Sequence, residues 1–228
     1  MNFSNQFRIF KKTHGERFTV LEKDKYPCLN DATGSTGFDK HYVYHTAWAA
    51  RKVSEIQPNL HIDISSYLYF STIVSAFLPV KFYDYRPAEL GLSNLVSEHA
   101  DLTQLPFEKN SISSLSCMHV VEHIGLGRYG DPLDVDGDLK AISELKRVLS
   151  EGGDLFFVVP IGGVAKIMFN AHRIYTYQQV MSFFDDFELI EFSLIPDQSS
   201  QGIIENATQE QSDAQNYGCG CFWFRKRN

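Results

Sequence analysis

The chain has 228 residues, 43% of them hydrophobic, 14% aromatic and 21% charged, enough for a real core in one large domain or two small ones. Its formal net charge of −7 argues against a nucleic-acid partner, because such binders rely on Lys and Arg against phosphates. No run approaches the ~20 apolar residues of a membrane span, and Met1 to Thr13 lacks the apolar core of a signal peptide.

Residues 1–37 are polar and expected to be irregular, with Gly34, Ser35, Thr36 and Gly37 as a flexible link to a single domain over 38–228. Asp39 suits a helix N-cap. Val43, Ala47, Ala50, Val53 and Ile56 then recur at three- and four-residue spacing, which predicts a helix over 39–57 ended by Pro58-Asn59. His41, Tyr42, His45 and Trp48 share that helix, either as a wall of a site or as half-buried aromatics. Leu60 to Ile64 reads as the first strand, broken by Ser65-Ser66. An apolar helix over 67–77 and a second strand, Val80 to Tyr85, follow. Strand, helix and strand make a βαβ unit, which implies a parallel sheet with right-handed crossovers. Asp84 falls roughly 20 residues past the end of the first strand, the ribose-binding position of nucleotide-binding βαβ units. A third strand is expected over 94–99.

Ile112 to Met118 is small or apolar throughout and reads as the fourth strand. At His119 the character changes, and His119, Glu122, His123, Arg128 and Tyr129 arrive together with Gly125, Gly127 and Gly130. A buried strand that ends by delivering polar groups into a Gly-rich loop is how open α/β sheets build sites beyond the carboxyl ends of their strands. The spacing predicts a helix over 138–149, with Leu139, Ile142, Leu145, Val148 and Leu149 as its stripe, Lys140 and Glu144 paired outside, and Gly152-Gly153 at its end. A strand at 155–159, a helix at 177–184, a strand at 187–195 and a last strand at 219–224 complete a sheet of about seven. The Gln- and Ser-rich stretch 197–217 is expected to be a mobile loop or lid. Cys28, Cys117, Cys219 and Cys221 read as reduced thiols of a cytoplasmic protein. Cys219 and Cys221 alternate along one strand without a second pair nearby, a poor zinc site.

The turn after the first strand lacks G-x-G-x-x-G, and Tyr67 stands where a pyrophosphate would need close backbone approach. That argues against NAD and ATP and for a nucleoside cofactor without phosphates. His119, Glu122 and His123 also match H-x-x-E-H, a zinc pattern that needs one long helix. Gly125, Gly127 and Gly130 make such a helix improbable, so no metal is expected.

Asp63-Ile64-Ser65-Ser66, Asp84, Asp101-Leu102-Thr103-Gln104-Leu105-Pro106-Phe107, Val120-Val121-Glu122-His123-Ile124 and Glu144 to Gly153 resemble, in that order, a class I S-adenosylmethionine-dependent methyltransferase. More narrowly, Glu122 to Pro132 with Asn170-Ala171-His172-Arg173 resembles a bacterial family catalogued as domain of unknown function 268, whose members accompany surface-polysaccharide gene sets. The resemblance covers about 40–227. It implies a Rossmann-like α/β three-layer sandwich with a mostly parallel sheet and an antiparallel last strand, and S-adenosylmethionine as cofactor. By position it implies Asp63, Ser65 and Ser66 along the methionine part, Asp84 on the ribose with Tyr85 beside the adenine, Asp101 and Leu102 on the adenine, and His119 and Val120 closing the pocket. The serines depart from the Gly-rich first turn of such enzymes.

Methyl transfer to a hydroxyl is an in-line displacement that needs positioning and a base. His123 is the first choice, since histidine titrates near neutrality. Asp131, Glu122 and His172 are alternates, and a purely structural Glu122-His123 pair is the competing reading. Arg128, Tyr129 and Arg173 are expected to hold the acceptor, with the arginines as partners of Asp131 or Asp134 instead. Two functions follow. One is an O-methyltransferase acting on a sugar or sugar-linked intermediate in the cytoplasm. The other is a non-catalytic methyltransferase-like partner or scaffold in polysaccharide biosynthesis. The oligomeric state is left open, a homodimer among the options.

Overall fold

The computed structural model describes residues 1–197 and 200–228, in two compact units, Met1–Phe38 and Asp39–Asn228. The first unit carries a helix, α1 (Phe3–Thr13), where the sequence leads one to expect irregular chain. Asn2 caps it by accepting the Asn5 N–H, and Lys11 and Lys12 sit in its last turn, where the helix dipole favours cations.

In the second unit the carboxylate of Asp39 accepts the Tyr42 N–H and starts α2 (Lys40–Ile56), which ends at Gln57 with φ 46°. There follow β1 (His61–Asp63), α3 (Leu68–Val74), β2 (Val80–Asp84), β3 (Leu95–His99), β4 (Ile112–Met118), α4 (Gly137–Val148), β5 (Leu149–Ile161), β6 (Lys166–Met168), β7 (His172–Ile174), α5 (Tyr177–Phe183), β8 (Phe187–Ile195), α6 (Gln209–Asp213) and β9 (Gly218–Lys226). Seven strands form one sheet in the order β3-β2-β1-β4-β5-β9-β8, and β6 and β7 form a separate hairpin. β1 is parallel to β2 and to β4, and β4 to β5. β9 runs antiparallel between β5 and β8. The architecture is thus the expected Rossmann-like methyltransferase sandwich.

Alternate residues of the central strands feed two cores, as a period of two requires. Leu115, Leu155, Phe157 and Val159 pack with Ala141, Ile142, Leu145 and Val148 of α4. Phe156 and Val158 pack on the other face with Trp48 and Val53 of α2 and Phe70 and Val74 of α3. No helix among the described residues is long and apolar enough to cross a membrane.

Three local expectations are corrected. Leu139 is 45% exposed, so the buried stripe of α4 takes in Ala141 beside the expected Ile142, Leu145 and Val148, without Leu139. Lys140 pairs with Asp134, and Glu144 takes Arg147 and the Leu105 N–H, so the expected Lys140–Glu144 pair does not form. Gly152-Gly153 does not end α4, since β5 begins directly after Val148. Of the stretch 197–217, Gln198 and Ser199 lie outside the described residues. The rest is largely tied down: Ile204 bridges to Leu194, α6 carries a capping box from Thr208 and Gln211, and Asp197 accepts the Asn216 and Tyr217 N–H groups. Polar side chains bonded to backbone replace apolar periodicity there, which is why the sequence pattern reads as loop.

Candidate active site

The crevice lies beyond the carboxyl ends of β1, β2 and β4. A first cavity of about 260 Å³ is bordered by Ser65, Ser66, Asp84, Tyr85, Asp101, Leu102, His119 and Val120, all expected there, over a floor that includes Ile64, Tyr83 and Ala100. One oxygen of Asp84 accepts the Arg86 N–H at 2.6 Å. One oxygen of Asp101 accepts from the Thr103 N–H and hydroxyl at 2.8 and 2.7 Å. Each carboxylate therefore keeps acceptor capacity for a ligand.

Asp63 is the exception, and its expected place along the methionine part is corrected. Its side chain is fully buried and turns into a nest of hydroxyls, accepting from Ser65, Ser71 and Ser116. Ser116 spends its proton on Asp63, so His61 Nε2 must donate to the Ser116 oxygen at 2.9 Å, and His61 Nδ1 accepts from Ser114 at 2.8 Å. Burial lowers the His61 pKa to about 3, keeping it neutral. Burial also pushes Asp63 up to about 6, against the pull of the three serines.

A second cavity of about 440 Å³ opens beside the first, and His119, His123 and Tyr129 border both. His119 follows β4 in the left-handed region, φ 55°, with its N–H bonded to Val158. Its Nδ1 meets Glu122 Oε1 at 2.8 Å. Burial works against a charged His119, but the contacts of Cys219 and Glu122 outweigh it and raise the pKa to about 10. Burial keeps Cys219 itself a neutral thiol, so the ionic support comes from Glu122. Burial likewise opposes the Glu122 charge, and the His119 bond and charge overcome it, holding its pKa below the usual value. Glu122 Oε2 has no hydrogen-bond partner among the described residues.

His123 Nδ1 lies 2.6 Å from the Ala171 carbonyl. A carbonyl can only accept, so Nδ1 carries the proton and Nε2 keeps its lone pair, 3.9 Å from Glu122 Oε1. Burial lowers the His123 pKa below 6.5. Arg128 also donates to Ala171, at 3.0 Å, and lies over the Tyr129 ring at 5.1 Å. Tyr217 stands 5.1 Å from both the His41 and His172 rings, and Tyr42 completes this aromatic wall. The helix residues of α2 therefore divide: His41 and Tyr42 face the cavity, while His45 and Trp48 are buried, Trp48 donating to Glu191 at 2.8 Å.

Other expected residues are placed differently. Asp131 borders the first cavity and not the second, and its oxygens accept the Gly125, Gly127 and Tyr129 N–H groups, so it shapes the loop. Glu122 is committed to His119. Arg173 is buried, donating to the Ile124 and Val135 carbonyls and facing Asp138 at 3.4 Å, so it braces the loop and borders neither cavity. His119, Glu122 and His123 do not share one helix: a turn of three residues, Val121–His123, follows the strand end. Tyr217 and the Ala171 carbonyl escape sequence reasoning. The first sits in a polar stretch, and the second acts through its backbone, which leaves no side-chain signal.

Residues 93–219, more than half of the chain, match a family described as "Caenorhabditis protein of unknown function, DUF268". The bacterial character expected of that family is corrected by this description, which names a nematode genus. Among curated proteins no match was found. In fold the chain is similar to the N-methyltransferase NodS from Bradyrhizobium japonicum, solved with S-adenosyl-L-homocysteine, at TM-score 0.54 and 14% identity over 82% of this chain and 87% of that one. It is similar at TM-score 0.55 and 15% identity to a chain of a complex containing the Haloferax volcanii Trm112 methyltransferase activator, covering 83% of this chain and 91% of that one. YcgJ from Bacillus subtilis matches at TM-score 0.55 and 12% identity, covering 82% and 99% of the two chains.

Proposed function

The chain belongs to the family described as Caenorhabditis protein of unknown function, DUF268, so its activity has to be read from its own site, and we propose that it is an S-adenosylmethionine-dependent methyltransferase that O-methylates a sugar or sugar-linked intermediate. The observation that carries this reading is a pair of adjoining cavities whose shared wall is made by His119, His123 and Tyr129. The first fits the cofactor. Asp84 and Asp101 flank an apolar floor that includes Leu102, an arrangement suited to a ribose diol, an adenine amino group and a flat ring. Ser65 and Ser66 are small residues at the first turn, leaving room for the methionine part, and the lack of a Gly-rich phosphate loop matches a ligand without phosphates. Bound there, S-adenosylmethionine supplies an electrophilic methyl group.

The acceptor occupies the second cavity, where the rings of His41, Tyr42, His172 and Tyr217, with Asp39 and Arg128, suit a polyhydroxylated ring. His123 is the base. Its Nδ1–H is held by Ala171, so Nε2 is aimed to take the hydroxyl proton as the acceptor oxygen attacks, and the nearby Glu122 stabilises the imidazolium that forms. A cytoplasmic place in polysaccharide assembly belongs to the same proposal. A second reading, a methyltransferase-like partner without activity, is favoured by the serine turn that stands where glycines are usual. Calorimetric titration with S-adenosylmethionine and S-adenosylhomocysteine separates the two. Micromolar binding that weakens at least about tenfold in Asp84→Ala is expected, since a hydrogen bond to a charged group contributes about 1.5–3 kcal/mol. No heat with either ligand would sink the methyltransferase reading.

A further inference from the structure

By spacing alone Cys219 belongs with Cys221, but the fold pairs it with two histidines. Its Sγ lies 3.5 Å from His119 Nε2. His41 brings a third donor, and the three ligand atoms all lie within 4.8 Å of one another. They arrive from three separate elements: His41 from the first turn of α2, His119 from the end of β4 and Cys219 from the start of β9. We propose that His41, His119 and Cys219 bind a zinc ion at the inner wall of the second cavity.

The donor set is two imidazoles and a thiolate, which suits borderline-soft Zn²⁺ and not Mg²⁺ or Ca²⁺. A tetrahedral ion with Zn–S of about 2.3 Å and Zn–N of about 2.1 Å holds its sulfur and nitrogen ligands ~3.6 Å apart, close to the Cys219–His119 separation of 3.5 Å. The widest separation, 4.8 Å, closes with a shift of roughly 1 Å, given those ligand distances, together with a turn of the His41 ring out of its stacked position, 5.6 Å from the His119 ring and 12° from parallel. His41 can supply that shift, because it sits half-buried on the cavity wall, whereas His119 and Cys219 are buried.

The surroundings of His119 point the same way. A metal-bound histidine nearly always gives its other ring N–H to a carboxylate, backbone carbonyl or water, which fixes the ring and presents the remaining nitrogen to the ion. Here Glu122 Oε1 takes Nδ1 at 2.8 Å, on the side of the ring away from Cys219. Three protein ligands leave the fourth position open, the arrangement of reactive zinc sites. Because His41 and His119 border the second cavity, that position faces it. On binding, the Cys219 thiol proton and any proton on His119 Nε2 leave to solvent, so affinity rises with pH. The site depends on neither the cofactor nor the acceptor, and it would stand if the protein were a scaffold.

The test uses the full chain stripped with chelator and reloaded with Zn²⁺ or Co²⁺. One equivalent of Zn²⁺ per chain is expected, and Co²⁺ should give a thiolate-to-metal charge-transfer band in the near ultraviolet. That band disappears in Cys219→Ser, persists in Cys28→Ser, and needs at least about tenfold more metal in His41→Gln, whose far-ultraviolet circular dichroism stays that of the wild type. Should Cys219→Ser fail to fold, the wild-type band and the His41→Gln titration decide the matter. Substoichiometric Zn²⁺, no charge-transfer band, or a band untouched by His41→Gln overturns the proposal and leaves only a hydrogen bond between His119 and Cys219.

Discussion

Replacing Asp63 with Asn should change the stability of this protein in a pH-dependent way. The carboxylate is fully buried among three serine hydroxyls, and burial raises its pKa from the ordinary 3.8 to about 6. Because the folded value lies above the unfolded one, the native state holds the proton more tightly, and ionising Asp63 costs it stability. That cost is absent below pH 3.8, grows through the interval and is complete above about pH 6. At 1.36 kcal/mol per pH unit, the gap from 3.8 to about 6 corresponds to about 3 kcal/mol. Asp63→Asn carries no charge at any pH, so its stability relative to wild type should rise by up to that amount between pH 4 and pH 7. An amide accepts at only one of its two polar atoms, so one serine hydroxyl must turn away, a penalty of about 1 kcal/mol that does not vary with pH. The slope therefore carries the information. Urea unfolding of both proteins across this range measures it. A difference that stays flat would mean that the serines fully solvate an ordinary carboxylate, and the reasoning from burial would be refuted.

The Gly-rich loop should respond unequally to alanine. At Gly125 (φ +79°) a Cβ would stand 2.1 Å from the Asp134 carbonyl oxygen, whereas at Gly130 (φ +86°) it meets nothing within 4 Å. Gly130→Ala should thus cost only left-handed strain, about 1–2 kcal/mol, and Gly125→Ala clearly more; equal urea midpoints would contradict this. Arg173→Met should lower stability by about 3–5 kcal/mol by stranding buried Asp138, seen as a fall in Tm, and an unchanged Tm would restore Arg173 to the acceptor-binding group. His123→Gln should lower kcat by about 10²–10⁴ while cofactor Kd holds. The pKa of His123 is lowered, so its deprotonated form predominates at neutrality, and the acidic limb of the wild-type rate profile should rise to its plateau with a midpoint below 6.5. A midpoint above that value would point to another base.

The strands of the main sheet and helices α2 to α5 were legible because period and punctuation agree with tertiary demand. Ile112–Met118 and Phe187–Ile195 match the expected bounds, being uniform apolar or alternating runs between polar breaks. The edges of the first cavity were legible too, since strand ends place residues by topology. What failed was orientation. Asp63 and Arg173 look like ligand-binding groups in one dimension, yet both turn inward to satisfy buried partners drawn from distant segments. The stripe of α4 slipped because Leu139 looks apolar but faces outward. The hairpin of β6 and β7 is made of two strands of three residues each, too short for any periodicity to register. The meeting of Cys219 with His119 spans 100 residues, and spacing cannot report it.

The Ala171 carbonyl receives both the His123 imidazole and the Arg128 guanidinium. A methyl side chain thus marks a position whose chemistry lies entirely in the main chain. Replacing residues one at a time with alanine would pass over it without a signal, because the residue is already alanine. Its vulnerability is geometric: anything that tilts the hairpin, such as an insertion between β6 and β7, would detune a histidine 48 residues away while leaving every polar side chain of the cavity in the sequence.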